Sequence, residues 1–164
     1  MSAGELPNAV SRLPPSFTLE QLTRSDTAMA RHIDNQPLLA HLPNLRRLTA
    51  TLEAIQTALR HPISVTSAYR CPELNHAVGG VSNSRHTLGL AADFTCASLG
   101  TPLRVAHAVI AAGIEFDQLI HEYGRWVHVG LAEQGSAPRR QVLTICAGGG
   151  GYRDGLLPCA AQQT

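Results

Sequence analysis

Three side chains in this sequence have the types and spacing of a metal site. His86 and Asp93 stand seven residues apart in the segment Ser84-Arg85-His86-Thr87-Leu88-Gly89-Leu90-Ala91-Ala92-Asp93. That spacing is too long for adjacent turns of one helix. It suits a loop running into a strand, which can fold an imidazole and a carboxylate onto one ion. His128, in Trp126-Val127-His128-Val129, would complete three protein ligands and leave a fourth position for water, the pattern of catalytic rather than structural zinc. Mixed nitrogen and oxygen donors suit zinc better than magnesium or calcium. Spacing alone is modest evidence, because the chain has 8 histidines and a single histidine in a strand is more often a satisfied core or surface residue than a ligand.

Such residues need elements to position them. From residue 37 onward Leu39, Leu42, Leu45, Leu48, Leu52, Ile55 and Leu59 recur every three or four positions, the stripe of a long amphipathic helix ending near Arg60. Upstream, Thr18 can cap a short helix. His61-Pro62 stops the long helix, and the β-branched alternation Ile63-Ser64-Val65-Thr66-Ser67 reads as a strand. A short helix is predicted over 72–78, a strand over 90–95, a helix over 102–112 closed by Gly113, and a hairpin of 116–122 and 126–131 around Tyr123-Gly124-Arg125. Residues 141–146 would add an edge strand. Helices first, then strands interleaved with short helices, predict an α+β domain in which helices pack on one face of a small antiparallel sheet. Residues 1–16 read as a loose arm, 17–146 as one domain, and 147–164, opening on a glycine run, as a flexible tail.

Composition narrows the function classes. With 164 residues the chain can bury one core, and 13 basic against 12 acidic residues leave a net charge of +1, which argues against nucleic acid held through its phosphates. No apolar stretch approaches the roughly 20 residues of a membrane span. The first 15 residues lack a hydrophobic segment of signal-peptide type, so a soluble chain made in the cytoplasm is expected, as is a monomer. Cys71, Cys96, Cys146 and Cys159 form no C-x-x-C pair, which sets aside a zinc knuckle. Cys71 and Cys96 each follow a motif strand and could meet as a disulfide or a thiol pair, whereas Cys146 and Cys159 flank the glycine run.

Taken together, Ser84-x-His86-x-x-Gly89-x-Ala91-x-Asp93, preceded by Ser67-Ala68-Tyr69-Arg70 and followed by Trp126-Val127-His128, resembles the zinc D-alanyl-D-alanine carboxypeptidase family. That family includes phage endolysin peptidases and vancomycin-resistance dipeptidases, and it shares the Hedgehog fold. The resemblance covers about residues 17–145. It implies that His86, Asp93 and His128 hold one zinc ion per chain, and that Arg70 binds substrate or steadies a developing oxyanion, for which a guanidinium fork is suited. Ser84 would hydrogen-bond substrate or a ligand, or simply cap its loop. Trp126 would line the substrate cleft or anchor the core, and Asp117 would orient a histidine ligand or cap its strand. His32, His41, His61, His76 and His107 have no partner at ligand spacing.

The departure from the family pattern is at the general base. An acidic residue usually precedes the last histidine ligand by three positions, and here that position is Arg125. Glu122 and His121 are the replacements within reach. A three-residue loop, Tyr123-Gly124-Arg125, puts Glu122, Trp126 and His128 on one face; a two-residue loop puts His121 there instead. Glu122 is favoured, because a carboxylate near a dication stays ionised and can take and return a proton. The resemblance thus implies a zinc metallopeptidase cutting an amide bond in peptidoglycan stem or cross-link peptides, acting on the cell wall after phage-type release or delivery. The alternative is a non-catalytic zinc domain that recognises cell-wall peptides or a protein partner.

Overall fold

The computed structural model describes residues 17–160, so the expected arm over 1–16 lies outside the described residues. Local signals explain most helix ends. The Thr18 hydroxyl accepts the Gln21 N–H and Gln21 Oε1 accepts the Thr18 N–H, a capping box that starts α1 (Leu19–Thr23). α2 (Asp26–Arg31), absent from the sequence-based reading, starts on Ser25, whose Oγ accepts the Ala28 N–H. A single 3-10 turn, Leu39–His41, leads into α3 (Leu42–Leu59), where Leu45, Leu48, Leu52 and Ile55 are fully buried. Each such side chain contributes about 1.5–3 kcal/mol by leaving water.

The strands are β1 (Ser64–Ser67), β2 (Ala91–Thr95), β3 (Gln118–Glu122), β4 (Trp126–Gly130), β5 (Gln141–Ile145) and β6 (Arg153–Asp154). Two further helices, α4 (Pro72–Ala77) and α5 (Pro102–Ala111), punctuate them, each with proline in its first turn. The sheet order is β1-β2-β4-β3-β5-β6. Ala92, Phe94, Leu119, Val127 and Val129 turn to one face and join α3 and α5 in the core, with Val105 and Val109 of α5 fully buried there.

The class is α+β as expected, but the small antiparallel sheet is corrected on two points. The sheet has six strands among the described residues, and β3 pairs with β5 in parallel. After the β3–β4 hairpin the chain crosses to the far side of β3 with no helix in the connection, so strand periodicity alone could not reveal the direction of β5. β5 is also flanked on both sides, by β3 and β6, rather than lying at the edge.

Two other expectations change. Residues 147–160 do not run free: β6 pairs with β5, and Thr144 Oγ1 both donates to the Gly155 carbonyl and accepts the Leu157 N–H. Gly148, Gly149, Gly150 and Gly151 all have positive φ, between 65° and 100°, a left-handed path open to glycine at little cost. The run is a turn rather than a linker. The disulfide joins Cys146 to Cys159, whereas Cys71 and Cys96 stay free thiols. Cys71 is used instead as the cap of α4, its Sγ accepting the Leu74 N–H, while Cys96 is buried in the core.

The crossover into β5 is pinned at Asp117. Its carboxylate takes Nε and Nη2 of Arg139, the latter at 2.7 Å, and also the Arg139 N–H. Asp117 therefore serves the crossover and orients no histidine ligand. Its hydrogen bonds to Arg139 hold the carboxyl below its ordinary value, so this contribution to stability is complete near neutrality and is lost as pH falls through the lowered pKa. Arg139→Ala should cost about 1 kcal/mol near neutrality, since the arginine is half-exposed. Thermal unfolding followed from about pH 7 to about pH 3 should then decline less steeply in the variant than in the native chain; equal slopes would count against the assignment.

Candidate metal centre

Antiparallel pairing of β2 and β4 sets Asp93 directly opposite His128. Because neighbours along each strand fill the core, alternation sends both side chains to the opposite face. His86 arrives from a 3-10 turn, Arg85–Leu88, that the sequence builds for it. The Ser84 hydroxyl accepts the His86 N–H, and Gly89 closes the turn at a φ of 71°. A Cβ on Gly89 would stand 2.9 Å from Leu45 Cγ, so the packing of α3 and the backbone conformation both demand glycine.

The three donors converge on one carboxylate oxygen. His86 Nε2 lies 3.4 Å and His128 Nδ1 2.8 Å from Asp93 Oδ1, and all three residues are buried. The other oxygen, Oδ2, accepts Arg70 Nη2 at 3.1 Å, while Arg70 Nε donates to Ser67 Oγ. His86 Nδ1–H donates to the Ala68 carbonyl at 2.6 Å, which leaves Nε2 as the free lone pair facing Asp93. Ligand atoms sharing one zinc ion at bonds of about 2.0–2.2 Å stand roughly 3–4 Å apart. Two imidazole nitrogens and one carboxylate oxygen, with the spare nitrogen of His86 and the spare oxygen of Asp93 tied elsewhere, therefore fit that ion. Among the described residues no other group of histidine, cysteine or acidic side chains meets the same test.

Electrostatics follows the same pattern. Burial alone would push the Asp93 carboxyl up, but its histidine partners, with His128 donating a hydrogen bond to Oδ1, outweigh it and hold Asp93 ionised. Burial pushes His86 down, toward the neutral form a metal needs. For His128 burial acts in the same sense, yet the hydrogen bond to Asp93 prevails and the net direction is up.

Glu122 sits at the end of β3, directly opposite Trp126. The loop is therefore the three-residue Tyr123-Gly124-Arg125, and Glu122, Trp126 and His128 share the ligand face. Trp126 Nε1 donates to Glu122 Oε2 at 2.9 Å and so aims the carboxylate. Burial and the negative charge of Asp93 both raise the Glu122 carboxyl, the direction that suits a group taking and returning a proton near neutral pH. His121 faces the other side of the sheet, buried, with Nδ1–H donating to the Leu157 carbonyl. The sheet thus brings Glu122 to the three donors and takes His121 away from them.

A cavity of about 370 Å³ opens beside Asp93, walled by Arg24, Ser67, Tyr69, Arg70, Arg125 and Trp126. Two larger hollows, of about 410 Å³ between α1 and β1 and about 620 Å³ along α2, hold no comparable cluster, so chemistry rather than size selects the smaller one. Arg70 reaches this cavity with Nη1 making no hydrogen bond among the described residues. Ser84 is occupied in capping its turn. Two contributions escaped the sequence reading: the Ala68 carbonyl that fixes His86 and the Ser67 hydroxyl that fixes Arg70. Their only signal was position inside Ser67-Ala68-Tyr69-Arg70.

Dialysed protein should carry about one zinc ion per chain, and His86→Ala or Asp93→Asn should lose most of it. Ser67→Ala, which frees Arg70, should weaken zinc affinity by about tenfold. Atomic emission and a competitive chelator titration read both; a His86→Ala protein with full zinc would overturn the ligand set.

The family described as Peptidase M15 has a model that matches residues 15–130, and the chain belongs to that family, the one of the zinc D-alanyl-D-alanine carboxypeptidases. No curated protein matches the chain.

Proposed function

We propose that this Peptidase M15 chain is a zinc metallopeptidase that hydrolyses an amide bond in peptidoglycan peptides, as a D-Ala-D-Ala carboxypeptidase or an endopeptidase of endolysin type. The observation that carries the reading is one carboxylate, Glu122, on the same sheet face as His86, Asp93 and His128 and steered by Trp126. His86, Asp93 and His128 would hold zinc, which when bound supplies a Lewis acid for a carbonyl and acidifies water.

The remaining steps belong to the chain's own residues. Glu122 takes a proton from water and returns it to the leaving amine, a task helped by a raised pKa. Arg70, held by Ser67 and Asp93, offers its remaining donors to negative charge growing on the substrate oxygen. Trp126 keeps Glu122 aimed and, with Tyr69, gives the cavity an aromatic wall. Arg125 at the usual base position favours the non-catalytic alternative, but Glu122 supplies the chemistry that Arg125 lacks. Action on the wall after phage-type release or delivery is part of the same proposal.

Purified peptidoglycan incubated with the zinc-loaded protein should release new amino groups, and a chelator should stop it. Glu122→Gln should keep its zinc and lose turnover by about 100-fold or more, while His121→Ala stays within about tenfold of the native rate. Absence of release from every wall type tested would sink the peptidase and leave the binding domain.

A further inference from the structure

The aromatic residues are sorted by chemistry. All three phenylalanines, Phe17, Phe94 and Phe116, are buried in the core at 4% exposure or less. The four aromatics with polar tips lie toward the metal centre, Tyr69 from within the core and the other three from more exposed positions. Tyr69 and Trp126 line the cavity, Tyr123 packs on Trp126 with ring centroids 5.6 Å apart, and the fourth, Tyr152, comes from the C-terminal segment. Such side chains suit a ligand with both apolar and hydrogen-bonding parts.

The sheet register places Tyr152. Trp126 is opposite Glu122, Glu122 is opposite Ile145, and Thr144 is opposite Arg153 in the antiparallel β5–β6 pair. Tyr152 immediately precedes β6, and carrying that register on by one residue sets it against Ile145, on the face of Glu122, two strands away. Its neighbour Arg153 donates from Nη2 to Cys146 Sγ. The tyrosine is 56% exposed and so adds little to folding, and burial together with the charge of Glu122 raises its phenol pKa.

Its support is elaborate for an exposed side chain. The disulfide closes the segment at Cys146 and Cys159, four glycines turn it, and Thr144 and His121 each hold its backbone. Apart from His121, all of this lies beyond residue 130, where the family match ends. The arginine-walled cavity lies toward β1, at the opposite end of the strand order from β6. The reacting centre, over β2, β4 and β3, therefore lies between that cavity on one side and exposed Tyr152 on the other.

We propose that the cleft binds peptide on both sides of the cut bond, and that Tyr152 holds the segment lying over β5, positioned there by the strap that Cys146 and Cys159 close. The reading rests on the peptidase function above. Two strand spacings carry the substrate about 10 Å past Glu122, room for about three extended residues. Peptides longer than a terminal dipeptide are thus the preferred substrates.

The test compares the stem pentapeptide with the dipeptide D-alanyl-D-alanine as substrates of the zinc-loaded protein. Tyr152→Ala should lower the ratio of kcat/KM for the pentapeptide over the dipeptide about tenfold, chiefly through KM, with zinc content and thermal midpoint as in the native chain. Tyr152→Phe should recover part of the loss, and Cys146→Ser with Cys159→Ser should reproduce it. A ratio unchanged by Tyr152→Ala would falsify the proposal. If the native chain cleaves neither substrate, pentapeptide is titrated against the fluorescence of Trp126, the only tryptophan. Binding weakened about tenfold by Tyr152→Ala then sustains the subsite while hydrolysis fails, and binding that is absent or indifferent to Tyr152 overturns the subsite as well.

Discussion

A buried carboxylate is the constraint around which the structure is organised. Asp93 is almost fully enclosed, and an ionised group there is tolerable only if each oxygen is engaged. His86 and His128 converge on Oδ1, and Arg70 takes Oδ2. Each partner then imposes its own demand. Arg70 needs Ser67 at the end of β1, His86 needs the Ala68 carbonyl, and His128 needs the β2–β4 register that faces it to Asp93. The turn carrying His86 needs Gly89 against Leu45 of α3. One charge thereby links both neighbours of β2 and the central helix into a single arrangement.

Much of this was legible in the sequence, for definite reasons. The leucine stripe of α3 and the β-branched run of β1 are periodic patterns, and periodicity reports which side of an element is buried. Ser84 to Asp93 was legible because a turn leading into a strand keeps its residue types close in the chain. Which of Glu122 and His121 shares the ligand face was reduced to loop length, and only the register could decide that, since a one-residue slip exchanges the two faces. Ser25 carried a cap signal for α2 that no apolar period reinforced in so short a helix. The parallel pairing of β5 left no local trace, because it depends on a crossover held by Asp117 and Arg139, side chains that look like ordinary surface charges.

The C-terminal segment shows how composition can mislead. Four glycines in a row suggest a linker when chain entropy is considered alone. The same residues are also the ones that can all sit at positive φ, and here they do so in a turn whose ends are joined by a disulfide. The information distinguishing the two outcomes was distributed over Thr144, His121 and the two cysteines, all outside the run itself.

The short strand β6 also settles how the sheet ends. Without it the outer side of β5 would present a row of unpaired backbone groups, a template for strand addition by another molecule. β6 and the residues after it occupy that side, with the Gly155 N–H on the Val142 carbonyl and the exposed charges of Arg153 and Asp154 outermost. At the other rim β1 is only four residues long and carries an irregularity between Val65 and Ser67. Among the described residues the sheet therefore ends in a short or irregular strand at each rim, and edge-to-edge aggregation finds no long, flat strand there on which to begin.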